Sequence, residues 1–147
     1  MSAMPPDFKL IHTCWADSSD MLGAVRRTVF IEEQQVPASL EWDGLDAGCF
    51  HVLVTGAGHQ PVATGRMLPD GHIGRMAVLQ TCRGQGIGSA VLAALLEVAR
   101  QQQFPRVFLH AQVSAIAFYE RHGFVVSSDE FMDAGILHRT MRRQTAI

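Results

Sequence analysis

Arg83-Gly84-Gln85-Gly86-Ile87-Gly88 stands between a strand-like run at residues 72–79 and a long apolar helical stretch at residues 89–103. Alternating glycines let a backbone turn tightly and bring its N–H groups close to a ligand. The helix that follows starts with unpaired N–H groups and a partial positive charge. Strand, loop and helix start together make an anion site suited to a pyrophosphate. The same glycines would also serve a turn that binds nothing, so the neighbouring sequence has to decide.

Working outward, Val91, Leu92, Leu95, Leu96, Val98 and Ala99 give the helix a wide apolar face, as packing on a sheet requires. Pro105 ends it, and residues 106–111 read as a strand. Residues 114–122 form a short helix with Gly123 as its left-handed cap. Residues 124–127 and 136–141 are two final strands, joined through Asp133-Ala134-Gly135. Upstream, residues 8–14 look like a first strand, and Asp17, Ser18 or Ser19 caps a helix over about residues 20–33. Pro37 and Gly44 mark a loop over residues 34–47. Residues 50–54 and 61–67 pair as a hairpin around Gly56-Ala57-Gly58, and Pro69-Asp70-Gly71 turns into the run that precedes the glycine loop. The order is strand, helix, three-strand meander, helix, strand, helix, two strands, which is an α/β or α+β layer with one mixed sheet.

The 147 residues fit one domain spanning 1–147. A formal net charge of −2 gives no whole-chain attraction for nucleic acid. No run approaches the roughly 18 apolar residues that cross a bilayer, so no membrane partner is expected. No secretory signal is visible at the start. Cys14, Cys49 and Cys82 are odd in number and form no C-x-x-C pair. Neither a disulfide framework nor a zinc ribbon is suggested, and a reducing cytoplasm is the simplest compartment. The seven histidines are scattered without ligand-like spacing, so no metal is expected.

The element order and two motifs resemble the GNAT acyltransferase superfamily over residues 8–143. The first motif, R/Q-x-x-G-x-G/A, is Arg83-Gly84-Gln85-Gly86-Ile87-Gly88, preceded by Met76-Ala77-Val78. The second is a helix that ends in tyrosine, charged residues and Gly-Phe, here Ala115-Ile116-Ala117-Phe118-Tyr119-Glu120-Arg121-His122-Gly123-Phe124. Within the superfamily, Val29-Phe30-Ile31-Glu32-Glu33-Gln34-Gln35-Val36-Pro37, Glu41-Trp42-Asp43 and Asp133-Ala134-Gly135-Ile136-Leu137-His138 look like the ElaA-like branch. The resemblance implies a mixed, mostly antiparallel central sheet of about seven strands flanked by about four helices. It implies acetyl-CoA as donor, a small-molecule or protein amine as acceptor, and homodimers as a common assembly.

On that resemblance, backbone amides of Arg83, Gly84, Gln85, Gly86, Ile87 and Gly88 take the pyrophosphate, and the charge of Arg83 adds phosphate attraction. Met76, Ala77 and Val78 hydrogen-bond the pantetheine arm as an added strand would. The N–H of Val78 is a plausible oxyanion donor. Tyr119 stands where the family places a general acid, and a phenol can supply a proton to a departing thiolate. Its alternative role is a ring in the core with its hydroxyl bonded to backbone. Gln112 replaces the asparagine that many relatives use to contact pantetheine. Residues 72–79 contain no carboxylate, so a base must come from elsewhere, with Glu33, Glu41, His110 and His138 as candidates, or act through water, or be unnecessary.

Between Arg27 and Arg66 there is no lysine or arginine, while Glu32, Glu33, Glu41, Asp43 and Asp46 all fall there. With Glu33, Glu41 and Asp43 on the acceptor side, such a stretch would be a negative wall attracting a protonated amine. A solvated acidic loop reads equally well. Cys82 has no evident base partner and reads as a packing residue, so direct transfer in a ternary complex is preferred to a thiol intermediate. A dinucleotide site would need its third glycine one residue later and an acidic residue some twenty positions on, and a P-loop would need Gly-Lys-Ser/Thr. The remaining rival is a non-catalytic acyl-CoA-binding module on the same fold.

Overall fold

The computed structural model describes residues 4–146. Strands β1 (Lys9–Thr13), β2 (Phe50–Thr55), β3 (Pro61–Met67) and β4 (Ile73–Val78) form one antiparallel sheet in chain order. Strands β5 (Arg106–Gln112), β6 (Val125–Val126), β7 (Phe131–Asp133) and β8 (Ile136–Gln144) form a second, in which β8 pairs antiparallel with β5, β6 and β7. The mixed, mostly antiparallel arrangement is as expected. Among the described residues the strands number eight, in keeping with about seven, and they divide into two sheets. The extra strand is the three-residue β7, too short to announce itself as a pattern.

Helix α1 (Trp15–Arg26) has non-helical dihedrals at Ser18 and runs into a π-helical segment, Arg27–Glu33. The expected start near residue 20 therefore falls just past a real break. No side chain caps the helix, since the Ser18 hydroxyl bonds Thr13 instead. The short helix α2 (Ala38–Glu41) interrupts the expected loop. Helix α3 (Ile87–Gln101) packs Ile87, Val91, Leu92, Leu95, Val98 and Ala99 into the main core. Gly65 on β3 lets α3 approach, because a Cβ there would stand 2.7 Å from Val91. Helix α4 (Ile116–Glu120) follows β5, and Gly123 beyond it has φ 86°, the left-handed cap expected.

β4 and β5 run parallel, and α3 connects them. Among the described residues they share a single bridge, His72 with Phe108, where the Phe108 N–H donates to the Gly71 carbonyl at 3.1 Å. Gly71 is required there, having φ 89° and room only for hydrogen 2.9 Å from the Arg106 carbonyl. Beyond this bridge the two strands do not pair, which leaves an opening toward their carboxyl ends. Ligands of open α/β sheets bind in such a crevice.

Candidate active site

The backbone of β4 borders this opening. The N–H of Leu79 donates to Val62 on β3, so alternation turns the polar groups of Val78 away from β3. The Val78 carbonyl indeed accepts from the Nε of Arg83, at 2.9 Å, on the open side. Upstream, β3 and β4 slip register between Thr64 and Arg66, which makes a bulge in β4. Arg75 sits in it with φ 48°, a left-handed conformation that disfavours any side chain. Gly84 and Gly86 have φ of 79° and 81°, and Gly86 precedes the first turn of α3. The loop thus has the backbone form that a phosphate cradle needs, at the start of a 15-residue helix.

Two clefts meet at this edge. One, of about 320 Å³, runs along Met76, Ala77 and Val78 to Arg83 and Gly88. The other, of about 260 Å³, lies between β4, β5, β8 and the segment from Phe30 to Glu41. Gln34, Met76, Ala115 and Tyr119 border both. The Tyr119 hydroxyl points at the Met76 sulfur, 3.9 Å away, and burial pushes its phenol up to about 12. It therefore keeps its proton at neutral pH.

The structure brings the residues of the first motif and Tyr119 to one edge, and separates others from it. Gln112 borders the second cleft, not the first, and donates to the Gln34 side chain at 2.9 Å. Arg83 forms a bidentate pair with Glu33, at 2.7 and 2.8 Å, both partners being partly exposed. The two residues expected on opposite sides of the reaction are thus held together. Cys82 packs at the edge of the core.

Three arginines neutralise Glu41, Asp43 and Asp46. Glu41, 3% exposed, receives Arg26 and Arg75 at 2.8 and 3.0 Å. Asp43 receives Arg66 and Arg75, and Asp46 receives Arg26 and Arg66. Burial alone would raise the Asp43 and Asp46 carboxyls, but hydrogen bonds and charge from these arginines outweigh it and hold both below the usual range. Trp15 and Trp42 lie against the Arg26 guanidinium, 5.6 and 5.0 Å from its centre. Glu41 and Asp43 therefore stand in a closed three-on-three network, and only Glu41 borders the cleft. The cations come from α1, β3 and β4, at sequence distances that a local charge count does not see.

Sequence reasoning passed over Gln34, His72, Arg75 and Asp133, all of which line the second cleft. His72 is the residue of the β4–β5 bridge, and the Pro69-Asp70-Gly71 turn before it was the available signal. Among the described residues no cluster of His, Cys, Asp or Glu is arranged to hold a metal ion, and no helix is long and apolar enough to cross a membrane.

The family model for the acetyltransferase (GNAT) domain matches residues 18–145. An uncharacterised N-acetyltransferase of Bacillus subtilis, YjcF, is 39% identical over 123 residues, covering 81% of this chain and 87% of that protein. The crystal structure of an acyl-CoA N-acyltransferase from Pseudomonas aeruginosa superposes with a TM-score of 0.77 at 30% identity, covering 93% of this chain and 98% of that one. Escherichia coli ElaA superposes with a TM-score of 0.81 at 26% identity over the same shares. With the glycine loop, the open β4 edge and the protonated tyrosine in place, the chain belongs to the GNAT acetyltransferase family.

Proposed function

We propose that this protein is an acetyl-CoA-dependent N-acetyltransferase that acts on a primary amine by direct transfer. The observation that carries this reading is Tyr119, a half-buried phenol that holds its proton where the two clefts join. Acetyl-CoA supplies an acetyl group activated as a thioester. Arg83, Gly88 and the Met76–Val78 edge line the donor cleft, with the amides of loop 83–88 for the pyrophosphate and the strand edge for the pantetheine arm. The Val78 N–H, turned to the open side, donates to the carbonyl oxygen as it gains charge. The second cleft holds the acceptor, so amine and thioester meet at Tyr119 without a covalent enzyme intermediate. As the N–C bond forms and the C–S bond breaks, Tyr119 gives its proton to the departing sulfur, and the proton that the nitrogen loses passes through solvent to restore the phenol. Gln112 borders the second cleft and donates to Gln34, which lies where the two clefts join.

Release of free CoA thiol with an amine acceptor, followed for the wild type and for Tyr119→Phe, tests this reading. The variant is expected to lose roughly 10²–10⁴-fold in kcat, the range of a general acid, with little change in acetyl-CoA affinity. Unchanged turnover would remove Tyr119 from the chemistry. The pairing of Glu33 and Glu41 with arginines ties up both glutamates weighed as bases and favours a second reading, a module that binds acyl-CoA without transfer. Acetyl-CoA binding with no thiol release across an amine panel would select it.

A further inference from the structure

Three histidine rings, His72, His110 and His138, border the second cleft. Phe108, His110 and Gln112 share one face of β5, alternating with the buried Val107, Leu109 and Ala111. The β8 and β7 registers place His138 beside Gln112 and Phe131 beside His138. His72 stacks on Phe108 at 4.7 Å and 16°, and His138 lies nearly parallel to Phe131 at 6.0 Å and 22°. His110 stands edge-on between these pairs, 4.7 Å from His72 and 5.4 Å from Phe131. Five rings from four strands or strand ends thus form a continuous surface, and His72, His110 and His138 border the cleft.

This surface carries little charge. Burial pushes His72 down to about 4, with His110 nearby adding to the effect, and burial also lowers His110. The His138 Nδ1 lies 2.7 Å from the Ile136 carbonyl, which only accepts. Nδ1 therefore bears a hydrogen. Of the carboxylates that border the cleft, Glu41 is held by Arg26 and Arg75, and Asp133 stands exposed on the β7–β8 turn. A polycation would find at most one open anionic partner here. Neutral rings with mixed donors and acceptors suit a flat, weakly polar body.

We propose that this cleft selects a primary monoamine carried on a planar aromatic or heteroaromatic ring, in preference to polyamines and aminoglycosides. The inference rests on the acetyltransferase reading for its chemistry but on the ring surface for its substrate class. The ring packs against His110 and His72 while the amine reaches the Met76–Val78 edge.

The test compares 2-phenylethylamine, its saturated analogue 2-cyclohexylethylamine, spermidine and kanamycin as acceptors at fixed acetyl-CoA. Binding of 2-phenylethylamine to the protein is also read directly, by saturation-transfer NMR. The expected result is the highest kcat/KM for 2-phenylethylamine. His110→Ala should lower it about 3- to 10-fold, the worth of one aromatic contact, and His110→Phe should retain it. Spermidine or kanamycin as the better acceptor, or equal use of the saturated amine, would overturn the inference and leave acetyl transfer standing. Saturation transfer that is lost in His110→Ala, without thiol release from any amine, would support the ring site and refute transfer. Absence of both binding and turnover of 2-phenylethylamine would overturn the ring site.

Discussion

Tyr119 has its chemistry set by where its hydroxyl lies. Burial disfavours the phenolate and lifts the group to about 12, so the acid form persists through the alkaline range. Turnover should therefore show no falling alkaline limb below about pH 11 that Tyr119→Phe removes, as measured by kcat against pH. A limb near pH 10 belonging to Tyr119 would mean an exposed phenol. Asp46 is the second decisive residue, since it joins Arg26 and Arg66, themselves 1% and 4% exposed. Asp46→Ala leaves two buried guanidinium groups short of a partner and should cost about 3–5 kcal/mol in chemical denaturation. Tyr119 was legible in the sequence because its motif is local. The role of the acidic residues was not, because Glu41 meets Arg26 from 15 residues away and Asp43 meets Arg66 from 23. A run without basic residues looks negative only until the chain folds its arginines onto it.

Among the elements, β4 and the π-helical segment that faces it control the donor cleft. The Arg83–Glu33 pair links them, and Arg83 also bonds the Val78 carbonyl at the open edge. On the proposed reading, an incoming pyrophosphate competes with Glu33 for this guanidinium. Glu33→Gln frees Arg83 and should tighten acetyl-CoA binding roughly 2- to 5-fold at low salt, with a steeper salt dependence. An unchanged or weaker affinity in a titration would show that Arg83 does not meet the phosphates. The strand, loop and α3 were readable from glycine spacing and apolar periodicity. The extension of α1 into a π-helix was not, because nothing in side-chain period separates it from an ordinary helical turn. β7 was missed because three residues carry no period, yet it supplies Phe131 to the ring surface.

Across the molecule, the two sheets touch at one bridge among the described residues and diverge, and both clefts exist because of that divergence. The meander and the order of elements were visible in turn residues and alternation. The division into two sheets was not, since the separation of β4 from β5 is a tertiary fact. The network of buried charges and histidines also fixes how the fold responds to acid. His51 and His72 resist protonation when folded, chiefly through burial, so the unfolded chain binds more protons below about pH 6.5. Asp43 and Asp46 are held below the usual range despite burial, so they add to the loss below about pH 4. Both effects have the same sign. The melting temperature should fall steadily from about pH 7 to pH 3, as read by circular dichroism, with no acid-side optimum. A maximum near pH 5 would contradict the ionisation states described above.

The most direct measurement is calorimetric titration of the protein with acetyl-CoA, with NADH and ATP as controls and Gly86→Asp as the variant. Gly86 has φ 81° at the start of α3, where a carboxylate would oppose an incoming phosphate. The account predicts selective binding on the order of micromolar Kd for acetyl-CoA, abolished in the variant. Folded protein that ignores acetyl-CoA would reduce the glycine loop to a turn and contradict the proposed transfer.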